Sequence, residues 1–244
     1  MMRFGEAEDP RRRLLIQALA TGLFTTIVPG GRTLAAEIFG TGSSKLPVGR
    51  SIYRMSGKVL VNGVPATMET RIFAGDTVET LKDGEIVFVV GENSMILRGG
   101  SRLELQTAQT TSSILIDGLR LLTGKLLSVS RNRQMQVHTI AATIGIRGTG
   151  FYVEADPQQT YFCTCYGATE VEANDDKESR ETVVSRQHDK PLYILTGAKP
   201  GQSIRSAPFI NHTDQELMLI ESLVGRTPPF VFPGNSYNAP RRNY

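Results

Sequence analysis

The sequence predicts an all-β fold, a sandwich or coiled β-roll of many short strands, closed by one short helix near the C-terminus. Three observations predict it. Between Tyr53 and Val171, short continuous or alternating apolar runs are broken by turn residues about every ten positions, the rhythm of an all-β domain. Within LKDGEIVFVVGENSMILRGGSRLELQ the breaks fall at Asp83-Gly84, Gly91-Glu92-Asn93 and Gly99-Gly100, and Asp-Gly supplies the positive φ angles of a tight hairpin. No helical period survives across this region, so a helix would have no apolar stripe to bury.

Each segment follows in order. Residues 1–36 have the three-part plan of an export signal: Arg11-Arg12-Arg13, an uncharged run from Leu14 to Gly31, then small residues from Thr33 to Ala36. Arg11, Arg12, Leu14 and Leu15 match the twin-arginine pattern, whose pathway carries proteins already folded in the cytoplasm. The alternative is an uncleaved N-terminal anchor, although Thr, Gly and Pro interrupt the run too often for a membrane-spanning helix. Either way the bulk of the protein is expected in the periplasm, free or held at the inner membrane by its N-terminus.

Residues 37–52, rich in Gly, Ser and Pro, read as a linker. Residues 53–200 then form the β domain. KVLVNG ends in the turn pair Asn62-Gly63. Ile86, Phe88 and Val90 share one face of a strand with Val87 and Val89 on the other, so this strand is expected to be covered on both sides. Thr123-Gly124, Gly148 to Gly150 and Tyr166-Gly167 continue the series of breaks. Residues 201–244 read as an extension. In it, Thr213-Asp214-Gln215-Glu216 fits a capping box, Leu217, Leu219, Ile220, Leu223 and Val224 supply an apolar face, and Gly225 stands where a helix stops. The Pro-rich tail is expected to be ordered only where Phe230 to Phe232 dock.

A chain of 244 residues, 40% hydrophobic and 21% charged, can bury a substantial core. Its net charge of +3 is concentrated at the start. Five of the 27 basic residues and only three acids fall in the first 36 positions, which leaves 22 bases against 21 acids in the rest. A balanced surface of this kind gives no footprint for nucleic acid.

Several landmarks recur in a fixed order: Gly75-Asp76-Thr77-Val78 with Thr80, Asp83-Gly84, Gly124-Lys125-Leu126, Thr139, Ile146-Arg147-Gly148-Thr149 and Phe151-Tyr152-Val153. Over roughly Ser56 to Val171 the chain resembles the FecR domain of bacterial periplasmic proteins. That resemblance implies an extracytoplasmic all-β module. The best known members regulate sigma factors of iron uptake through a cytoplasmic anti-sigma segment, a membrane helix, this domain and a C-terminal piece that contacts an outer-membrane transporter. Here only about ten residues precede the arginines, and one short helix stands where repeated β-α-β units are the family's pattern. The expectation is therefore a stand-alone exported FecR-like domain, acting as a non-catalytic binding or sensory module. Its partner would be a periplasmic or envelope protein, or peptidoglycan or another glycan, with membrane contact only through the N-terminus.

Two sets of residues could bind something. Arg147 puts a long cation beside Gly148 and Thr149, where the backbone can approach a neighbour closely; an anionic ligand could bind at Arg147 and Thr149, or Arg147 could pair with a carboxylate at a strand crossing. The second set begins with Cys163 and Cys165, the only cysteines. In a strand they share one face with α-carbons about 6.5 Å apart and side chains nearly parallel, which disfavours a mutual disulfide. A metal ion is less demanding, needing each sulfur at about 2.3 Å. Cys163, Cys165 and His188 form the plausible ligand set, with His212 or Asp189 as a fourth member or Asp189 orienting the ring. The competing reading packs both thiols in a sheet interior and leaves His188 in a turn. Thiols that cannot pair with each other suit an oxidising compartment only when buried or metal-bound. No GxSxG, HExxH or P-loop is present, and no enzyme is expected.

Overall fold

Three strands are much longer than the turn rhythm suggests. In the computed structural model, which describes residues 45–107, 116–131 and 135–229, β8 (Ile116–Val129), β10 (Ala142–Ala155) and β11 (Gln159–Ala173) run for 14, 14 and 15 residues. The expected breaks at Gly124, at Gly148 to Gly150 and at Gly167 lie inside them as bends. A glycine between apolar runs can end a strand or kink it, and here it kinks. Gly124 has φ 92°, and a Cβ there would collide with Ser101. At Gly150 a Cβ would collide with the Tyr166 ring across the ladder.

Shorter strands fill in around these three. They are β1 (Ile52–Ser56), β2 (Val59–Val61), β3 (Val64–Pro65), β4 (Thr77–Thr80), β5 (Glu85–Val90), β6 (Asn93–Leu97) and β7 (Arg102–Thr107), followed by β9 (Met135–His138), β12 (Asp176–Ser185), β13 (Leu192–Leu195) and β14 (Ile204–Ser206). The β2–β3 turn is Asn62-Gly63 with φ 52° and 78°, the mirror-image turn that matches strand twist.

Pairing splits along the long strands. The first part of β8 pairs with β7 and β9, and its second part pairs with β6 and β10. Likewise β10 pairs with β9 and then β8, while β11 pairs with β13 through its start and with β12 through its end. The long strands therefore pass from one sheet layer, β3-β2-β4-β7-β8-β9-β10-β11-β12, into another, β1-β5-β6-β8-β10-β11-β13-β14. This is an all-β coiled sheet, as expected. Only β8 and β9 pair in parallel among the described strands.

One aliphatic core lies on the inner face and includes Ile86, Phe88, Val90, Leu103, Leu119, Phe151, Val153 and Phe162. The outer face of the second layer is apolar too, with Val87, Ile96, Leu127, Tyr152, Tyr161 and both cysteines. It is covered by the connector 207–212 and by α1 (Asp214–Leu223), which inserts Leu217, Ile220 and Leu223. Thr213 caps this helix with the full capping box to Glu216. Residues 201–229, set apart in the sequence as an extension, thus belong to the same compact unit, which begins at Lys45. No described helix is long and apolar enough to cross a membrane. The proposed export residues Arg11, Arg12, Leu14 and Leu15, and Phe230 to Phe232, lie outside the described residues.

Candidate metal centre

The centre begins with a gap in a ladder. β13 pairs with β11 only from Gln159 to Phe162, and β12 only from Gly167 to Ala173. Residues 163–166 lie between these two partners, opposite the connection from β12 to β13. On the other edge Phe151 faces Thr164 and Gly150 faces Tyr166, so Cys165 is the extra residue of a β-bulge. A bulge re-aims side chains, and here Cys163 and Cys165 stay on the outer face, both fully buried and free of disulfide.

The β12–β13 connection carries His188 over that gap. Its backbone N–H donates to the Cys165 carbonyl at 2.9 Å, and its φ is 54°. Histidine tolerates the left-handed region better than most non-glycine residues, and a residue held there commonly marks a functional position. His212 arrives from the far side, immediately after Asn211 with φ 59° and immediately before the N-cap of α1.

These four side chains converge. One ligand atom from each of Cys163, Cys165, His188 and His212 lies within 4.8 Å of all the others. Cys163 Sγ is 3.5 Å from His188 Nδ1, Cys165 Sγ is 3.4 Å from His212 Nε2, and the two nitrogens are 3.2 Å apart. A tetrahedral ion about 2.3 Å from sulfur and about 2.0 Å from nitrogen requires S···N separations of about 3.5 Å and an N···N separation of about 3.3 Å. Three of the six edges of the cluster have these lengths.

The outer contacts fix which nitrogen faces inward. His188 Nε2–H donates to Asp214 Oδ1 at 2.8 Å, leaving Nδ1 for the centre. His212 Nδ1–H donates to the Ile210 carbonyl at 2.7 Å, leaving Nε2. A carboxylate or carbonyl behind each imidazole is the arrangement that orients metal-binding histidines. Rings complete the enclosure: Tyr152 stacks on His212 at 4.4 Å, and Phe209 lies 4.1 Å from His188.

Electrostatics follow from the same contacts. Burial works against a Cys163 thiolate, but hydrogen bonds from Cys165, His188 and His212 outweigh it and hold this thiol well below its ordinary pKa. Burial and then the neighbouring Cys163 push Cys165 up. Burial also opposes charge on His188, yet Asp214 and Cys163 raise its pKa, whereas burial lowers that of His212. These directions favour charge on Cys163 and on His188, while two thiolates and two neutral imidazoles would balance the charge of a divalent ion.

Of the residues singled out in the sequence, Cys163, Cys165 and His188 come together, and His212 is the fourth. Asp189 is neither a ligand nor the ring's orienting group. Its Oδ2 accepts from the Arg186 and Gln187 N–H groups and the Ser185 hydroxyl, closing the turn. The orienting carboxylate is Asp214, which sequence reasoning missed because its place in the first turn of a helix already explains an acid there. Arg147 and Thr149 do not converge on this centre or on each other. Arg147 is exposed and pairs with Glu170 across β10 and β11, the carboxylate alternative, while Thr149 is fully buried against Gly167. His138, on β9, is half-buried against Thr143.

No family model matches this chain, and no curated protein matches it. Among solved structures, two crystal structures of a "putative anti-sigma factor" from Parabacteroides distasonis, at 1.65 and 2.50 Å resolution, are similar at 16% identity and a TM-score of 0.42. The similarity covers 54% of this chain and 58% of that one, so the match spans little more than half the neighbour's length.

Proposed function

We propose that this chain is a non-catalytic all-β domain that binds one divalent transition-metal ion of the zinc class through Cys163, Cys165, His188 and His212. The observation that carries the reading is the agreement of three S···N and N···N separations with a tetrahedral ion, together with the hydrogen bonds that turn both imidazoles inward. Two sulfurs and two nitrogens in a tetrahedron suit zinc. Four protein ligands leave no open position for water or substrate, so the ion's role is structural. It ties β11, the β12–β13 turn and the connector to α1 into one unit, and such binding energy adds directly to folding.

The setting supported by the sequence is extracytoplasmic, through the Arg11-Arg12 segment and the FecR-like landmarks. There the domain acts as a binding or sensory module for an envelope protein or a cell-wall glycan. Folding before export would let the ion load in the cytoplasm. Substituting Lys for both Arg11 and Arg12 is expected to trap the precursor inside the cell, and normal export would remove the twin-arginine assignment. Co-sedimentation with purified peptidoglycan tests the glycan arm.

Elemental analysis and Co²⁺ titration of the purified chain test the centre. One ion per chain, a thiolate-to-Co²⁺ charge-transfer band, and loss of both in Cys163→Ser and Cys165→Ser are expected. Substoichiometric metal in the native protein, with melting unchanged by either substitution, would overturn the proposal.

A further inference from the structure

Arg98 sits just after β6, more than a hundred residues from the segment it holds, yet its side chain is only 8% exposed. A buried guanidinium is costly unless its partners compensate, so its contacts indicate its role. They all lead to His212. One guanidinium nitrogen, Nη1, donates to the backbone carbonyl of Asn211, the left-handed residue preceding the ligand. The other, Nη2, donates to Glu216 Oε1 at 2.8 Å. Glu216 in turn accepts from the N–H of Thr213, the residue after the ligand, through its second oxygen at 3.0 Å. The guanidinium also lies 5.3 Å over the Tyr152 ring, the same ring that stacks on the His212 imidazole. Asn211 is held a second time, its Nδ2 donating to Glu154 Oε1 at 2.7 Å, and Tyr152 donates to that same oxygen.

His212 is therefore bracketed by Arg98 through the residue before it, through the carboxylate that caps the residue after it, and through the ring beneath it. We infer that Arg98 is the positioning residue of the proposed metal centre: it holds the 211–213 backbone so that His212 Nε2 meets Cys165 and His188. The inference rests on the metal reading above. A guanidinium is needed because one planar group must reach a carbonyl and a carboxylate at once, which a Lys ammonium on a flexible stem does poorly. The two cysteines have no such dependence, and His188 shares it only indirectly, through Asp214, the residue after Thr213. Both cysteines lie on β11, and His188 is held by the Cys165 carbonyl and Asp214.

The test is Co²⁺ titration of the full chain beside Arg98→Met and Arg98→Lys. In Arg98→Met the Co²⁺ affinity is expected to fall about tenfold or more, the range for groups that orient a ligand. The ligand-field bands should weaken as solvent replaces His212 and coordination expands, while the thiolate charge-transfer band remains. Retention of that band separates loss of one histidine from general unfolding. Arg98→Lys should fall between Arg98→Met and the native chain, and it carries the test if Arg98→Met does not fold. Native affinity and native ligand-field intensity in the variant that folds would overturn this inference and leave the metal reading standing. A native chain that takes up no Co²⁺ would overturn both.

Discussion

The two faces of the second sheet layer are built differently. On the inner face β5, β10 and β11 contribute Ile86, Phe88, Phe151, Val153 and Phe162 to one continuous aliphatic and aromatic core, with Phe151 and Phe162 stacked at 5.9 Å. On the outer face the same strands contribute Val87, Tyr152, Tyr161 and the two cysteines, and the cover is a ten-residue helix and a six-residue connector rather than another sheet. That face also buries polar groups: the Cys/His cluster, Arg98, which pairs with the half-buried Glu216, and Glu221, which has no exposed side-chain surface and contacts Tyr166, Arg226 and Arg131. A sheet packed on a sheet is held by area. A short helix has too little apolar surface to hold itself, so directional ties to specific partners make up the difference.

Four substitutions break or sharpen this contrast. The largest loss is expected inside: Phe162→Ala should cost about 3–5 kcal/mol by cavity formation. Urea unfolding should give the same loss with the ion present or chelated, because the residue faces away from the centre. Next is Glu221→Gln, expected to cost about 3 kcal/mol because Arg226 is left facing a neutral partner in a dry site. Here chelation should increase the loss, since under the proposed metal reading helix and ion hold the same cover. Equal losses with and without chelator would mean that the two faces do not differ in this way.

Removing the helix cap is a smaller change. Thr213→Ala should cost about 1 kcal/mol of stability. Since the cap follows His212 directly, competition with a chromophoric chelator should also show weaker metal binding; an unchanged affinity would separate the cap from the centre. The smallest effect belongs to a tie on neither buried face. Arg147→Ala removes an exposed pair with Glu170 and should change stability by less than about 1 kcal/mol, with metal content unaltered.

Much of the fold was legible because it is written in local alternation. The assignment of Ile86, Phe88 and Val90 to one side and Val87 and Val89 to the other needs only the period of a strand, and both sides are covered. The capping box of α1 was legible for the same reason, since all its atoms lie within four consecutive residues. The glycines misled. Gly124, Gly150 and Gly167 carry the same sequence signal whether they end a strand or bend it, and the difference lies in which side chain from elsewhere, Ser101, Tyr166 or Thr149, comes against them. Arg98 carried no signal, because a charge beside Gly99-Gly100 looks like any turn residue.

The centre divides along the same line. By itself the sequence determined that Cys163 and Cys165 share a face, that their spacing disfavours a disulfide, and that His188 was the histidine to join them, with His212 and Asp189 left as alternatives for a fourth place. These are consequences of side-chain chemistry and strand geometry over a few residues. The tertiary structure decided that Asp214 rather than Asp189 orients His188, that Arg98 brackets His212, that His212 rather than Asp189 is the fourth member, and that the four ligand atoms lie within 4.8 Å of one another. Those facts depend on the gap between β13 and β12 along β11, on the bulge at Cys165 and on the docking of α1. Each is a long-range pairing whose energy is shared among residues far apart in the chain, so no local pattern can carry it.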